Sequence, residues 1–270
     1  MNEGLKMEFD LDTLLQEAIK ATRLAGEGIM AIYATDFAVE IKEDDSPVTQ
    51  ADKQADALIR EYLGKRFPEI GFLTEESIDT KDRLHQKAIW IVDPVDGTQD
   101  FVNRTGDFTT NVALCIDHQI VIGVINCPAL RKTYCAVKGG GAFVMDEEGN
   151  STRIHVSNRK EGLRYMCSVS HYNEKEKAFY AAHADRFLGE PKAVGAALKF
   201  CLLAEGKFDY FIRISGGTKE WDVAAGDILV HEAGGIMCEP SKKKFAYNRE
   251  DVYNRNGYVM ANSQDNLMLD

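Results

Sequence analysis

The stretch WIVDPVDGTQDF, residues 90–101, sets Asp93, Asp96 and Asp100 directly after an apolar run with the texture of a buried strand. Ile89, Trp90, Ile91 and Val92 predict a strand ending at Asp93, because Pro94 has no N–H with which to continue a ladder. Gly97 permits a tight backbone path, and Thr98 to Asn103 can open a short helix whose first amides would face an anion. The segment thus offers carboxylates for cations beside amides for an oxyanion, the parts that hold a metal-bound phosphate. A plainer alternative stays open, in which Asp93 and Asp96 only cap the helix. A calcium loop fails, since Val95 and Gly97 stand where EF-hand spacing needs oxygen ligands.

Outward from this stretch, residues 87–145 read as short β-rich runs: AIWIV, TTNVALCI, IVIGVINC, KTYCAV and GAFVM, an antiparallel meander with a hairpin at His118-Gln119. Before it, Leu11, Leu14, Leu15, Ala18, Ile19, Thr22 and Ala25 keep the spacing of an amphipathic helix, capped by Asp10 or Asp12. A second helix is expected from Gln50 to Phe67, ended by Pro68. After Ser151, helices at Lys175–Phe187, Ala196–Glu205 and Val223–Ala233 alternate with strands at Leu163–Ser168, Phe208–Ile214 and Gly257–Ala261. The expected organisation is an α+β half, 1–150, followed by an α/β half, 151–270, closely packed because no long linker or repeat separates them. Clefts between such halves are favoured ligand sites.

The chain has 270 residues, 44% of them hydrophobic and 28% charged, the balance of a globular protein. Its net charge of -11 argues against a broad nucleic-acid-binding face, although bound divalent cations could still reverse the local field for a small anion. The acidic N-terminus is unlike a secretory signal and no stretch reaches the length of a membrane span, so a cytoplasmic protein is expected. The six cysteines are scattered through mostly apolar surroundings without a CxxC pair, which predicts reduced core thiols.

Two further segments favour the metal reading. GFLTEES, residues 71–77, places Glu75 and Glu76 after an apolar strand, and GGTKEWDVAAGD, residues 216–227, places Asp222 at a helix start. Glu75, Asp93, Asp96 and Asp222 would supply the oxygen ligands that hard cations prefer, and without a cation they would repel one another. No GxSxG elbow or GxxxxGK[ST] loop competes, and KGGGAF, residues 138–143, reads as a hairpin glycine cluster.

In their order along the chain, SPVTQAD (46–52), EES, DPVDGT and WDVAAGD followed by HEAGG resemble the motifs of the inositol monophosphatase superfamily, magnesium-dependent and lithium-sensitive phosphomonoesterases. Within it, DGTQDFVNRTGDFTTNVAL, SVSH (168–171), GAALKFCLLAEGKFDY (195–210) and GGTKEWD are more similar to the 3'(2'),5'-bisphosphate nucleotidases. The resemblance implies a layered αβαβα sandwich of mixed α+β and α/β character. It implies two or three Mg2+ ions held by Glu75, Asp93, the Val95 carbonyl, Asp96 and Asp222. By the same resemblance, Asp96, Gly97, Thr98 and Asp222 lie against the substrate, Thr98 and Asp52 act with Glu75 in catalysis, and Ser168, His171, Gly195 and Lys199 contact the nucleotide. The residues also admit plainer roles: Asp52 and Thr98 as helix caps, His171 and Lys199 as surface groups. Ala196 and Ala197 replace serines common in nucleotidases, and Tyr172 replaces the basic residue that some relatives carry after the histidine.

The implied activity is hydrolysis by water of the 3'-phosphate of 3'-phosphoadenosine 5'-phosphate to AMP, clearing a by-product of sulfate activation. An inositol monophosphatase, or a non-catalytic metal- or nucleotide-binding protein of the same fold, is the alternative.

Overall fold

The computed structural model describes residues 9–42 and 47–269. Ser46, the first residue of SPVTQAD, lies outside them.

Helix α1, Leu11–Tyr33, is capped by Asp10, whose carboxylate accepts from Thr13 N–H, and its apolar stripe continues past Ala25 to Ile29. A small hairpin, β1 (Val39–Ile41) and β2 (Pro47–Thr49), leads into α2, Gln50–Arg66. Strands β3 (Gly71–Thr74), β4 (Ala88–Asp96), β5 (Thr109–Ile116), β6 (Gln119–Cys127), β7 (Lys132–Val137), β8 (Gly141–Met145) and β9 (Ser151–Ile154) form a seven-stranded sheet in sequence order. Only β3 on β4 is parallel, so the meander expected for 87–145 is present. The turn between β5 and β6 is Asp117-His118 rather than His118-Gln119, with φ of 48° and 63°, the pair of positive angles that matches the twist of a two-residue hairpin.

A second, five-stranded sheet has the order β11-β10-β12-β14-β13, from β10 (Tyr165–Ser168), β11 (Lys192–Val194), β12 (Tyr210–Arg213), β13 (Ile236–Cys238) and β14 (Tyr258–Ala261). The expected helices of this region shift at their ends. They are α4, Glu174–Ala182, followed by a short 3-10 turn; α5, Leu198–Ala204; and α6, Glu220–Glu232. The earlier start of α6 places Asp222 inside its first turn.

Alternation along the strands stacks these elements into layers. On the seven-stranded sheet, Ala88, Trp90, Val92 and Leu114 join the core beneath α1 and α2. Ile89, Ile91, Ala113 and Cys115 on its other face join Phe200, Val223 and Leu229 of α5 and α6, together with Met166, Phe211 and Met260 of the second sheet. The remaining face of that sheet, with Tyr165, Tyr210 and Val259, is covered by Tyr180 of α4. The order of layers is therefore αβαβα, as the sequence resemblance implied.

The end of β4 corrects one expectation. The strand does not stop at Asp93 but runs through Pro94 to Asp96, pairing Asp93 with Asn111 and Asp96 with Thr109. The extra residue on β4 makes a bulge, a place where proline's missing N–H costs the ladder nothing. The Pro94 carbonyl accepts from the Thr110 hydroxyl at 2.9 Å.

Asp209, fully buried, helps hold β10 against β12: its carboxylate accepts from Arg164 N–H (2.7 Å) and from the Arg164 guanidinium (2.9 and 3.0 Å), and also from Ser157. Burial pushes its pKa up, but the bonds from Arg164 and Ser157 outweigh this and hold it below the usual value. A lowered carboxyl pKa contributes stability that is present above the unfolded pKa and lost as pH falls toward the folded one. Asp209→Asn is expected to lower stability by about 1–3 kcal/mol at pH 7 and to shrink the loss of stability below about pH 4. Urea denaturation at several pH values checks both.

Candidate active site

A cavity of about 440 Å3 opens where the ends of both sheets meet the starts of α5 and α6. It is lined by every residue that the sequence resemblance assigned to metal or substrate: Glu75, Asp93, Val95, Asp96, Gly97, Thr98, Ser168, His171, Gly195, Lys199 and Asp222. Asp52 lies just behind this wall, bonded to Thr98. Glu75 follows β3, and its N–H donates to the Val92 carbonyl at 3.2 Å, which ties it to β4. The bulge turns Asp96 toward the cavity, and Gly97, at φ 86°, redirects the chain into the short helix α3, Thr98–Val102.

One wall is acidic. Asp93 is 1% exposed, its Oδ1 has no hydrogen-bond partner among the described residues, and its pKa is pushed well up by burial and then by Glu75, Asp96 and Asp222. Burial raises Asp96 to about 6, against the pull of Lys199, and its Oδ2 accepts from Asn111 at 3.3 Å. Asp222 is raised to about 8 by burial and by the charges of Asp96 and Glu75, while its Oδ2 accepts from Lys219 N–H at 2.6 Å. Lys42 donates to Glu75 at 3.3 Å and also to Glu76. Nothing in its sequence surroundings marked Lys42 for this place.

Asp52 caps a helix and also reaches Thr98. Its Oδ2 accepts from Thr49 N–H (2.8 Å) and the Thr49 hydroxyl (2.6 Å), a capping box at the start of α2. Its Oδ1 lies 2.9 Å from the Thr98 hydroxyl, which also lies 3.1 Å from the Val95 carbonyl. The cap of α3 is Gly97, so capping does not explain Thr98.

Basic groups line the same cavity. Lys199, 7% exposed, donates to the Ala196 carbonyl at 2.5 Å, and burial lowers its pKa. Burial, then Arg213 and Lys199, lower that of His171. Lys199 is therefore a buried group rather than the surface residue it could have been. Arg213, at the end of β12, lines the cavity with its Nε buried and without a partner among the described residues. Sequence reasoning missed it, although a lone arginine ending a strand of a nucleotide-contacting half was a signal. Asp100, beyond the second metal-type aspartate and peripheral by its spacing, also lines the cavity, because α3 is short and turns its side chain inward. Gly195 owes its place partly to this packing, since a Cβ there would sit 2.6 Å from Asp100 Oδ2.

Among the described residues, no three His, Cys, Asp or Glu side chains are already gathered around one point. The carboxylates ring a cavity and hold protein donors. Yet an orphaned buried oxygen on Asp93 beside three further carboxylates is a donor set that suits a hard divalent cation better than any protein partner present. Glu75, Asp93, the Val95 carbonyl, Asp96 and Asp222 match that group in donor type, and all five residues line the cavity.

The inositol monophosphatase family model matches residues 10–268. The chain is 35% identical to the 3'(2'),5'-bisphosphate nucleotidase CysQ of Aggregatibacter actinomycetemcomitans, over 93% of this chain and 94% of that protein. It is 34% identical to the CysQ nucleotidase of Salmonella typhimurium, over 91% of this chain and 98% of the other. The crystal structure of CysQ from Bacteroides thetaiotaomicron superposes with a TM-score of 0.80 at 31% identity, over 92% and 97% of the two chains. With the layered fold and an acidic cavity behind it, this places the chain in the inositol monophosphatase family, among its CysQ-type members.

Proposed function

We propose that the protein is a magnesium-dependent 3'(2'),5'-bisphosphate nucleotidase that removes the 3'-phosphate of 3'-phosphoadenosine 5'-phosphate to leave AMP. The carrying observation is that one cavity is lined both by the carboxylates of Glu75, Asp93, Asp96 and Asp222 and by Lys199, Arg213 and His171. A substrate with two phosphates fits such a chamber: one phosphate meets cations on the acidic wall, the other meets the protein's own cations. An inositol monophosphate has no second phosphate to offer. The names of the relatives point the same way.

Glu75, Asp93, the Val95 carbonyl, Asp96 and Asp222 would hold the cations. Magnesium bound there supplies neutralisation of phosphate oxygens and acidification of a water. Around it the protein's own groups do the positioning. Thr98 offers a hydroxyl to the attacking water, and Asp52 Oδ1 orients that hydroxyl and takes up a proton through it. Gly97 and Thr98 bring backbone close to the phosphate, and Ser168, His171, Gly195 and Lys199 contact the nucleotide, with Arg213 added to that set. Residues 1–150 contribute Glu75 to Thr98 and residues 151–270 the rest, although β9, Ser151–Ile154, still completes the first sheet. No helix among the described residues is long and apolar enough to cross a membrane. All six cysteines are buried and unpaired, in keeping with a reducing cytoplasm. Lithium sensitivity and a role in sulfur assimilation belong to the same proposal.

With magnesium, phosphate release should be faster from 3'-phosphoadenosine 5'-phosphate than from inositol 1-phosphate; the reverse order would overturn the nucleotidase assignment. Asp93→Asn should reduce turnover by at least about a thousandfold. In chelator-treated protein the same change should leave the melting temperature level or higher, because it removes a buried charge that burial and three neighbours disfavour. Turnover near the unsubstituted level would refute the metal assignment. Arg213→Met should raise KM for the bisphosphate substrate by roughly tenfold, as expected for one lost charged contact. It should change KM much less for a substrate with a single phosphate, and steady-state kinetics on both substrates distinguishes a second-phosphate contact from a general loss.

A further inference from the structure

Tyr253 stands apart from the rest of the cavity wall. It is 38% exposed, whereas the other Phe and Tyr side chains that line the cavity, Phe200 and Tyr258, are buried in the core. Its position is not that of a loose loop side chain. Tyr253 forms an antiparallel bridge with Lys219, the residue whose N–H donates to Asp222. On either side of the bridge, Glu220 N–H donates to the Val252 carbonyl at 2.9 Å and Asn254 N–H to the Thr218 carbonyl at 2.7 Å.

Behind the ring, Arg249 ties the segment together. Its guanidinium donates to the carbonyls of Val252 and Tyr253 (both 3.2 Å) and to Asn254 Oδ1 (2.7 Å). Its Nε donates to Glu220, fully buried, at 3.1 Å. Asn248 extends the ties to Arg83, on the segment that follows Glu75, through bonds of 2.8 and 3.0 Å. The polar groups of 248–254 are thus spent on holding an aromatic ring in the open. The ring is therefore held by backbone bonds at the cavity lining rather than packed into the core.

We infer that Tyr253 is the platform on which the base of the nucleotide stacks, and that Arg249 is the residue that positions it. This rests on the nucleotidase reading of the same cavity and goes beyond it by naming the group that recognises an aromatic leaving group. The placement suits the chemistry. Tyr253 is bridged to Lys219, three residues before Asp222, and all three line the one cavity, which brings the ring to the chamber where the AMP portion of the substrate would lie. Lys219 Nζ and the Arg255 guanidinium carbon lie 5.7 and 5.2 Å from the ring centroid, positive charge beside the place where an electron-rich base and its phosphates would come. An inositol ring has no π face to offer.

The test compares the unsubstituted protein, Tyr253→Ala, Tyr253→Phe and Arg249→Lys, in magnesium buffer, on 3'-phosphoadenosine 5'-phosphate and on 2-glycerophosphate. Base stacking on an aromatic side chain is worth roughly 5- to 100-fold. Tyr253→Ala should therefore lower the ratio of kcat/KM for the nucleotide over that for glycerophosphate by that factor, mainly through KM. Tyr253→Phe should keep the ratio within about threefold, because the π face remains. Arg249→Lys, which loses the fork that spans Val252, Tyr253 and Asn254, should lower the same ratio in part. An unchanged ratio in Tyr253→Ala, or an equal fall on both substrates, would overturn the platform, and an unchanged ratio in Arg249→Lys would overturn its positioning role. The unsubstituted protein's own preference tests the nucleotidase reading separately. Were that preference absent, AMP affinity by calorimetry would still decide the platform, equal Kd values in unsubstituted and Tyr253→Ala protein counting against it.

Discussion

Everything at the centre of this molecule follows from packing Asp93, Asp96, Asp222 and Glu75 against one cavity, three of them with pKa values raised by burial or by each other. Desolvation and like-charge repulsion both oppose such an arrangement, so the surrounding fold must hold it by force of geometry. Each acid is therefore anchored by backbone. Asp93 and Asp96 sit on the bulged end of the central strand β4, Glu75 is tied to the same strand, and Asp222 is fixed in the first turn of a helix buried between the two sheets. Lys42 and Lys199 stand close enough to soften the repulsion from opposite sides. Stability is given up here, and the carboxylates so gathered are the oxygen donors that the proposed cations would use.

The layered architecture explains how one cavity acquires two polarities. The sheets approach the cavity from different sides, the first delivering acids from β3 and β4, the second delivering Ser168 and Arg213 from the ends of β10 and β12. Helices α5 and α6 lie between the sheets, so the start of one contributes Lys199 and the start of the other Asp222. Neither sheet alone makes a site. On the proposed reading a bisphosphate would meet both kinds of group, and the ring of Tyr253 adds an aromatic surface to the same lining.

Much of this was legible in the chain itself. The meander came from the alternation of short apolar runs, and the five-layer order and the expected ligand set from the resemblance that short motifs carry. The misses have physical causes. Pro94 signals a strand end only if its neighbours need its N–H, and a bulge removes that need. Asp100 belongs to none of the expected ligand or substrate positions, yet it too lines the cavity from α3. Lys42, Arg213 and Tyr253 carried no motif; each matters through a partner far away in sequence, namely Glu75, the basic wall and Lys219.

The sequence by itself determined which groups could do chemistry, because carboxylates, glycines and capping residues act through their own covalent structure and their nearest neighbours. It determined too which runs were strands and which helices, since periodicity is local. Only the tertiary structure decided that Glu75 and Asp222, separated by most of the meander and half the second sheet, share a cavity with Asp93, that this cavity has a basic wall, and which aromatic ring stands at its mouth. Those outcomes depend on how two sheets pack about α5 and α6, and burial, not spacing, is what turns four ordinary carboxylates into a site.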